Sequence, residues 1–315
     1  MLRPARKVLS FSEAPNNFHE ALQTFGLNWD VGLRPIWTAD KNGELKVIEK
    51  YRSVNRLDTD TPLSVVSKKY CPVQHRQAAD LVDEVIKGIN GRFTNGGLFG
   101  GGGKVFLQAE FDSKIILKNS NEQTRKFLTF ITSHDGSSPT VIGSVNQKII
   151  CLNTFKFALK EARNDICIRH TANAEQRLLE AKDILENLID YQNKVELKIN
   201  QLAATPFNDK MMNDVLRKVF NVKPEVQSLN DLPTRTVNSM NRILDFAQSG
   251  IGIDSSKRFD GWTVYNSFSQ FSNHEKVVRN EKDDPFARTE SLLLGSGMEF
   301  NLRAQAAIEE VAGLS

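Results

Sequence analysis

Between residues 174 and 203, apolar side chains recur at the three- and four-residue spacing of a heptad seam. The seam runs Leu178, Ala181, Leu185, Leu188, Gln192, Val195, Ile199 and Leu202, with Gln192 its one polar member. Four heptads of this kind commit the segment to a long helix packed along one face. It should stop at Thr205-Pro206, because proline has no N–H to continue the ladder. Ahead of residue 171 the apolar residues instead alternate, as in "KVFLQAEF" (104–111), which is the period of a strand. The switch near residue 171 predicts an α+β fold. An antiparallel, β-rich region occupies residues 1–170 and a mostly helical region 171–315, as two regions or one integrated domain.

Within the front half, residues 16–26 read as a short helix. "LNWDVGLRPIW" and "GELKVIEKYRSVNR" then read as a hairpin across Asp40-Lys41-Asn42-Gly43, since Asn-Gly between extended runs is a strong turn signal. "PLSVVSKKY" supplies a third strand, and residues 74–89 return to helical spacing, giving the order β-β-β-α. The four glycines before Lys104 are not a phosphate loop. Leu98 stands where the Walker pattern needs glycine and Val105 where it needs Ser or Thr, so the run reads as a loop between strands. Residues 124–132 and 140–151 read as two further strands. His134-Asp135-Gly136-Ser137-Ser138 forms the turn between them, and Asn153 or Thr154 caps a helix over 155–162. Behind the long helix, residues 207–220 and 234–248 offer shorter ones, and the remainder is helical with a break at Gly295-Ser296-Gly297.

No run approaches the roughly 18 apolar residues of a membrane helix, and the basic N-terminus lacks the apolar core of a signal peptide. Cys71, Cys151 and Cys167 are an odd set without C-x-x-C spacing, which fits reduced thiols in a cytoplasm. The formal net charge of +3 is unevenly spread. Residues 1–170 carry 24 Lys+Arg against 17 Asp+Glu, and residues 171–315 carry 17 against 21. A basic front fits an anionic partner, and equally an ordinary solvated surface.

Three chemistries compete for the candidate residues. Cys151 as nucleophile, with His134 or His170 as base and Asp135 orienting it, would make a hydrolase or nuclease. Against this, a strand cysteine is commonly buried and inert. Metal ligation would draw on His75, His134, Asp135, His170 and Cys167, none of them at zinc-motif spacing, so no metal or cofactor is expected. The basic set is the third candidate. Lys46, Lys50, Arg52 and Arg56 share even parity and would line one face of a regular strand. Lys68 and Lys69 end the next strand, Lys104 follows the glycine run, and Tyr51 and Tyr70 stand near enough to stack bases. His134, Asp135, Gly136, Ser137, Cys151, Asn153 and Thr154 are read as structural, with Asp135 and Ser137 bonding backbone in the turn.

The blocks "YRSVNRLDTDTPLSVVSKKYCPVQHRQAADLVD" (51–83), "SHDGSSPTVIGSVNQKIICLNTFKFAL" (133–159), "RHT" (169–171) and "GWTVYNSFSQFSNHE" (261–275) resemble the phage/plasmid-like protein family, a domain of unknown function of bacteriophages and mobile elements. The H-D-G-S turn followed by C-x-N-T is the most specific of them. The resemblance implies a mobile-element setting close to replication, recombination or conflict with the host, and brings no catalytic residue. The β-β-β-α order is also similar to the core of single-strand annealing recombinases, which assemble rings or filaments. Together these lead to an expected non-enzymatic, oligomeric, cytoplasmic protein that binds single-stranded DNA for annealing or protection. An anti-defence or regulatory protein engaging a host protein is the alternative, and the hydrolase the third reading.

Overall fold

The computed structural model describes residues 7–117, 122–148, 154–155, 165–181, 187–228, 231–250, 259–279, 281–284 and 287–314. The strands are β1 (Lys7–Val8), β2 (Val31–Ala39), β3 (Leu45–Arg56), β4 (Pro62–Ser67), β5 (Arg92–Phe99), β6 (Lys104–Ile116), β7 (Gln123–Ser133), β8 (Thr140–Lys148), β9 (Thr154–Phe155) and β10 (Asp165–Ile168). The helices are α1 (Phe18–Thr24), α2 (Ala79–Gly88), α3 (Ala174–Glu180), α4 (Leu188–Ala204), α5 (Asp209–Val219), α6 (Thr234–Ser249), α7 (Gly261–His274), α8 (Ala287–Leu294) and α9 (Ser296–Val311). The fold is α+β, with antiparallel sheets in the front half and mostly helices in the back. Two compact units divide the chain. One takes Met1–Ser113, Phe127–Ser144 and Arg163–Ile189, the other Lys114–Lys126, Val145–Ala162 and Asp190–Ser315.

The larger sheet has the order β1-β5-β6-β7-β8-β10, with β9 also on β8. In the first unit Phe18 of α1 sets its ring edge-on to Phe93 of β5 and Phe130 of β7, with centroids 5.7 and 5.2 Å apart, so the helix seals the sheet with aromatic packing. A buried polar row crosses the same sheet without loss of hydrogen bonding. Asn95 Nδ2 donates to Gln108 Oε1 (2.7 Å), and Gln108 Nε2 donates to Thr129 Oγ1 (3.0 Å).

The smaller sheet, β2-β3-β4, is the expected hairpin and its third strand. At the hairpin turn Asp40 Oδ1 accepts from the backbone N–H of Asn42 and Glu44. Between this sheet and β7, Ser64 Oγ donates to the His134 carbonyl (2.7 Å). The glycine run forms a tight 3-10 turn with Gly101 and Gly102 at positive φ, and the Gly103 carbonyl accepts from His134 N–H.

In the second unit α7 is the central helix. Gly261 through Asn273 are buried except Thr263, and the helix lies against α6 and α9. Asp260 caps it by accepting from Thr263 N–H (2.7 Å). A Cβ on Gly261 would stand 3.0 Å from the Leu202 carbonyl, so only glycine lets the start of α7 approach the end of α4 this closely. Of the heptad seam, Ala181, Gln192, Val195, Ile199 and Leu202 are buried. Yet α3 ends at Glu180 and α4 begins at Leu188, so the long helix is two helices in the described residues. Leu185 lies outside them. The expected helix over 155–162 is corrected at its start. Thr154 and Phe155 form β9, paired with Gln147 and Asn146, because a strand edge on β8 is available to them. Residues 156–162, Cys151 and Asn153 lie outside the described residues.

Candidate functional site

The basic hairpin is present, but its side chains do not share one face. Trp37 pairs with Val47 and Pro35 with Arg52, so β2 advances two residues while β3 advances five. Proline has no N–H to give the ladder, and β3 bulges opposite it. Facing residues share a side of the sheet. Lys46 faces Thr38 and Arg52 faces Pro35, an odd step away, so the bulge puts Lys46 and Arg52 on opposite sides. Arg52 and Arg56 remain on one side. The even-parity expectation fails because it assumed an unbroken strand.

Several of the expected phosphate ligands already have partners inside the protein. Arg52 Nη1 donates to the Tyr51 carbonyl (2.7 Å), with the Glu49 and Ile48 carbonyls 3.3 and 3.4 Å away, and so holds the bulge together. Arg56 forks onto Asp58 (3.0 and 2.6 Å) and lies 4.2 Å over the Trp29 ring. Lys46 pairs with Asp40 (2.9 Å), and Lys104 with Asp135 (3.4 Å). Lys50, Lys68 and Lys69 are exposed and make no ion pair among the described residues. Lys50 sits 5.6 Å over the Tyr51 ring, and its carbonyl accepts from Lys68 N–H across β3 and β4. Exposed apolar groups stand on both sides of the same sheet: by their pairing Trp37, 54% exposed, and Leu45 take one side, and Tyr51, 40% exposed, and Val65 the other. Sequence reasoning picked out Tyr51 and passed over Trp37, although a tryptophan at the tip of an Asn-Gly hairpin was the available signal. Tyr70 is not free to stack a base, since its ring stacks on His170 with centroids 5.1 Å apart.

Beneath β4 lies a buried histidine cluster. His75 follows β4, His134 follows β7 and His170 follows β10, so three separate elements bring the rings together. His75 Nδ1 is 2.7 Å from the Leu27 carbonyl, which only accepts, so that nitrogen carries the proton. His75 Nε2 is then a lone pair, and it receives the N–H of His134 Nε2 at 2.8 Å. This leaves His134 Nδ1 as a buried lone pair with no partner among the described residues. His170 Nδ1 accepts from Val73 N–H (3.2 Å), so its Nε2 carries the proton toward Thr140 Oγ1 (3.3 Å), itself 2.7 Å from Thr132 Oγ1. Tyr70 Oη donates to the Ser133 carbonyl (3.0 Å) and lies 2.9 Å from His170 Nδ1.

Burial holds all three rings neutral. It lowers His75 to about 4, against the opposing pull of the Leu27 carbonyl. It lowers His134 to about 2, helped by His75 and His170, and His170 to about 4. Burial likewise raises Tyr70, with Asp135 adding to it. Asp135 itself feels burial pushing its carboxyl up, but hydrogen bonds from Ser137 and Ser133 and the charge of Lys104 outweigh this and hold it low. Its Oδ1 accepts from Ser133 Oγ (2.7 Å), Ser137 N–H (2.9 Å) and Ser137 Oγ (2.5 Å), while Gly136 takes φ +72. So Asp135 binds the turn and not an imidazole.

These contacts lock the turn in place. His75, His134 and His170 do converge, as metal ligation would need, but both nitrogens of His170 are engaged. No group of three His, Cys, Asp or Glu among the described residues is arranged to hold a metal ion. Cys167 is exposed on β10.

The fold thus defines an α+β protein with a lysine-bearing, aromatic-bearing small sheet over a histidine-locked turn. The profile of the domain of unknown function DUF932 matches residues 62–293, about three quarters of the chain, and the protein belongs to that family. No curated protein and no solved structure matches it. The matched span holds β4 and all three clustered histidines, while β2 and β3 precede it. No helix among the described residues is long and apolar enough to cross a membrane.

Proposed function

We propose that the protein binds single-stranded nucleic acid on the β2-β3-β4 sheet, as an oligomeric annealing or protecting factor of a phage or plasmid. One observation carries the reading: Trp37 and Tyr51 stand exposed on a sheet whose Lys50, Lys68 and Lys69 have no carboxylate partner among the described residues. Unstacked bases bind by stacking on aromatic faces while cations track the backbone, and a duplex hides those faces. The interface needs neither a nucleophile nor a cofactor.

The test is binding of labelled single-stranded DNA, duplex DNA and RNA at two salt concentrations, with mass measured in solution. Trp37→Ala with Tyr51→Ala should weaken single-strand binding at least tenfold, since stacking contributes about 1–3 kcal/mol per base. A wild-type protein that ignores single strands at low salt sinks the reading, and a strict monomer removes annealing from it. A second reading, an anti-defence or regulatory contact with a host protein, is favoured by the exposed Val65 on β4, an edge strand of this sheet.

A further inference from the structure

The helical unit carries an open cleft of about 650 Å³ whose walls come from α5, α6, α7 and α9 and the turns that follow α5 and α7. That volume lies within the roughly 300–1,000 Å³ of small-ligand sites. Its charge is lopsided. Arg235, Arg242, Lys276 and Arg303 line it, against the single carboxylate of Glu275. That carboxylate is already claimed: Arg242 Nε and Nη2 hold Glu275 at 2.5 to 2.7 Å, and the ion pair keeps its carboxyl below the usual range.

The other three cations make no ion pair among the described residues. Lys276 Nζ is pinned by Ser296 Oγ at 2.9 Å. Its ammonium is held below the ordinary lysine range by burial first and then by the charges of Arg303, Arg235 and Arg288, while Glu299 pulls it back only in part. Like charges gathered around one cavity oppose folding, and a bound anion would relieve them. The remaining wall is apolar: Phe220 and the 69%-exposed Val277 face the same space, beside Asn221 and Asn238.

We propose that this cleft binds a nucleoside di- or triphosphate, its phosphates on Arg235, Lys276 and Arg303 and its base against Phe220 and Val277. The charge surplus selects a multiply charged anion. The apolar wall, with two side-chain amides at hand, selects one that ends in a planar heterocycle over a bare phosphate or a phosphosugar. This site is built wholly from the second unit and does not rest on the single-strand reading.

Titration calorimetry on the full chain with ATP, inorganic tripolyphosphate and adenosine tests it. ATP should bind, tripolyphosphate at least fivefold more weakly, and adenosine not detectably. The double variant Arg235→Gln/Arg303→Gln should weaken ATP at least 20-fold while its melting temperature stays level or rises, because the substitution removes repulsion and no contact. Val277→Asp, at an exposed position, should weaken ATP at least tenfold by putting a charged carboxylate in place of the apolar wall that meets the base. Any one of four results overturns the proposal: no ATP binding at millimolar concentration, both variants binding as wild type, tripolyphosphate binding as tightly as ATP, or a thymidine oligonucleotide displacing ATP at lower concentration than ATP itself.

Discussion

At the scale of single residues, the three buried imidazoles make stability a function of pH with a definite sign. An unfolded chain takes up a proton on each near pH 6.5. The folded chain resists until about 4 at His75 and His170, and about 2 at His134. Below pH 6.5 the unfolded state therefore holds more protons. The stabilisation is complete above 6.5 and is lost progressively as pH falls through 4. For His75, the shift corresponds to about 3 kcal/mol. Urea unfolding should show a midpoint falling steadily from pH 6.5 to 4.5. His75→Gln should flatten that fall by as much as one proton, about 1.4 kcal/mol per pH unit. The same variant should cost stability at pH 7.5, where His134 and the Leu27 carbonyl lose their partner. A midpoint unchanged between pH 7.5 and 5 would mean that the rings are hydrated and the cluster is not closed.

At the scale of elements, Arg52 shows how a residue chosen for phosphate contact turns out to hold backbone. Its guanidinium gathers the carbonyls that the bulge opposite Pro35 frees from the ladder. Arg52→Ala should speed hydrogen exchange and proteolysis across Trp37–Lys50 and leave the rest of the sheet protected. If it weakens single-strand binding without loosening the hairpin, Arg52 is a phosphate ligand after all. The hairpin was legible because Asn42-Gly43 and its flanking alternation are local signals. The bulge was not, because parity along β3 presumes a partner that can pair at every step, and Pro35 cannot. Burial of α7 was hidden for a different reason. Its serines and asparagines look solvent-facing, but Asn266, Ser267 and Asn273 donate back to the carbonyls of Trp262, Val264 and Ser269 and so enter the core with these donors paired. The histidine cluster joins residues 59 and 36 positions apart in sequence, and no local pattern announces a meeting that only the fold arranges.

At the scale of the whole molecule, the charge is more localised than its halves suggest. Residues 31–69 hold 8 Lys+Arg and 5 Asp+Glu, a surplus of three. Subtracting them from the chain's 41 and 38 leaves 33 of each sign, so everything outside the small sheet is neutral in sum. Of these eight, Arg34, Lys46 and Arg56 face their own acids and Arg52 its own carbonyls; Lys41 stands in the β2-β3 turn, which leaves Lys50, Lys68 and Lys69, beside one another across β3 and β4, to meet phosphates. This count limits how salt-sensitive binding can be. Each phosphate contact to a single strand contributes about 0.7 to the log–log slope of affinity against salt, so three contacts give a slope near −2 per protomer. Lys50→Gln/Lys68→Gln/Lys69→Gln should bring it close to zero, weaken unrelated sequences about equally, and leave the melting temperature within a degree or two, because these side chains are exposed. Arg235→Gln/Arg303→Gln should leave it unchanged. A wild-type slope steeper than about −4 would require phosphate ligands well beyond these three lysines, and the small sheet would no longer account for the binding.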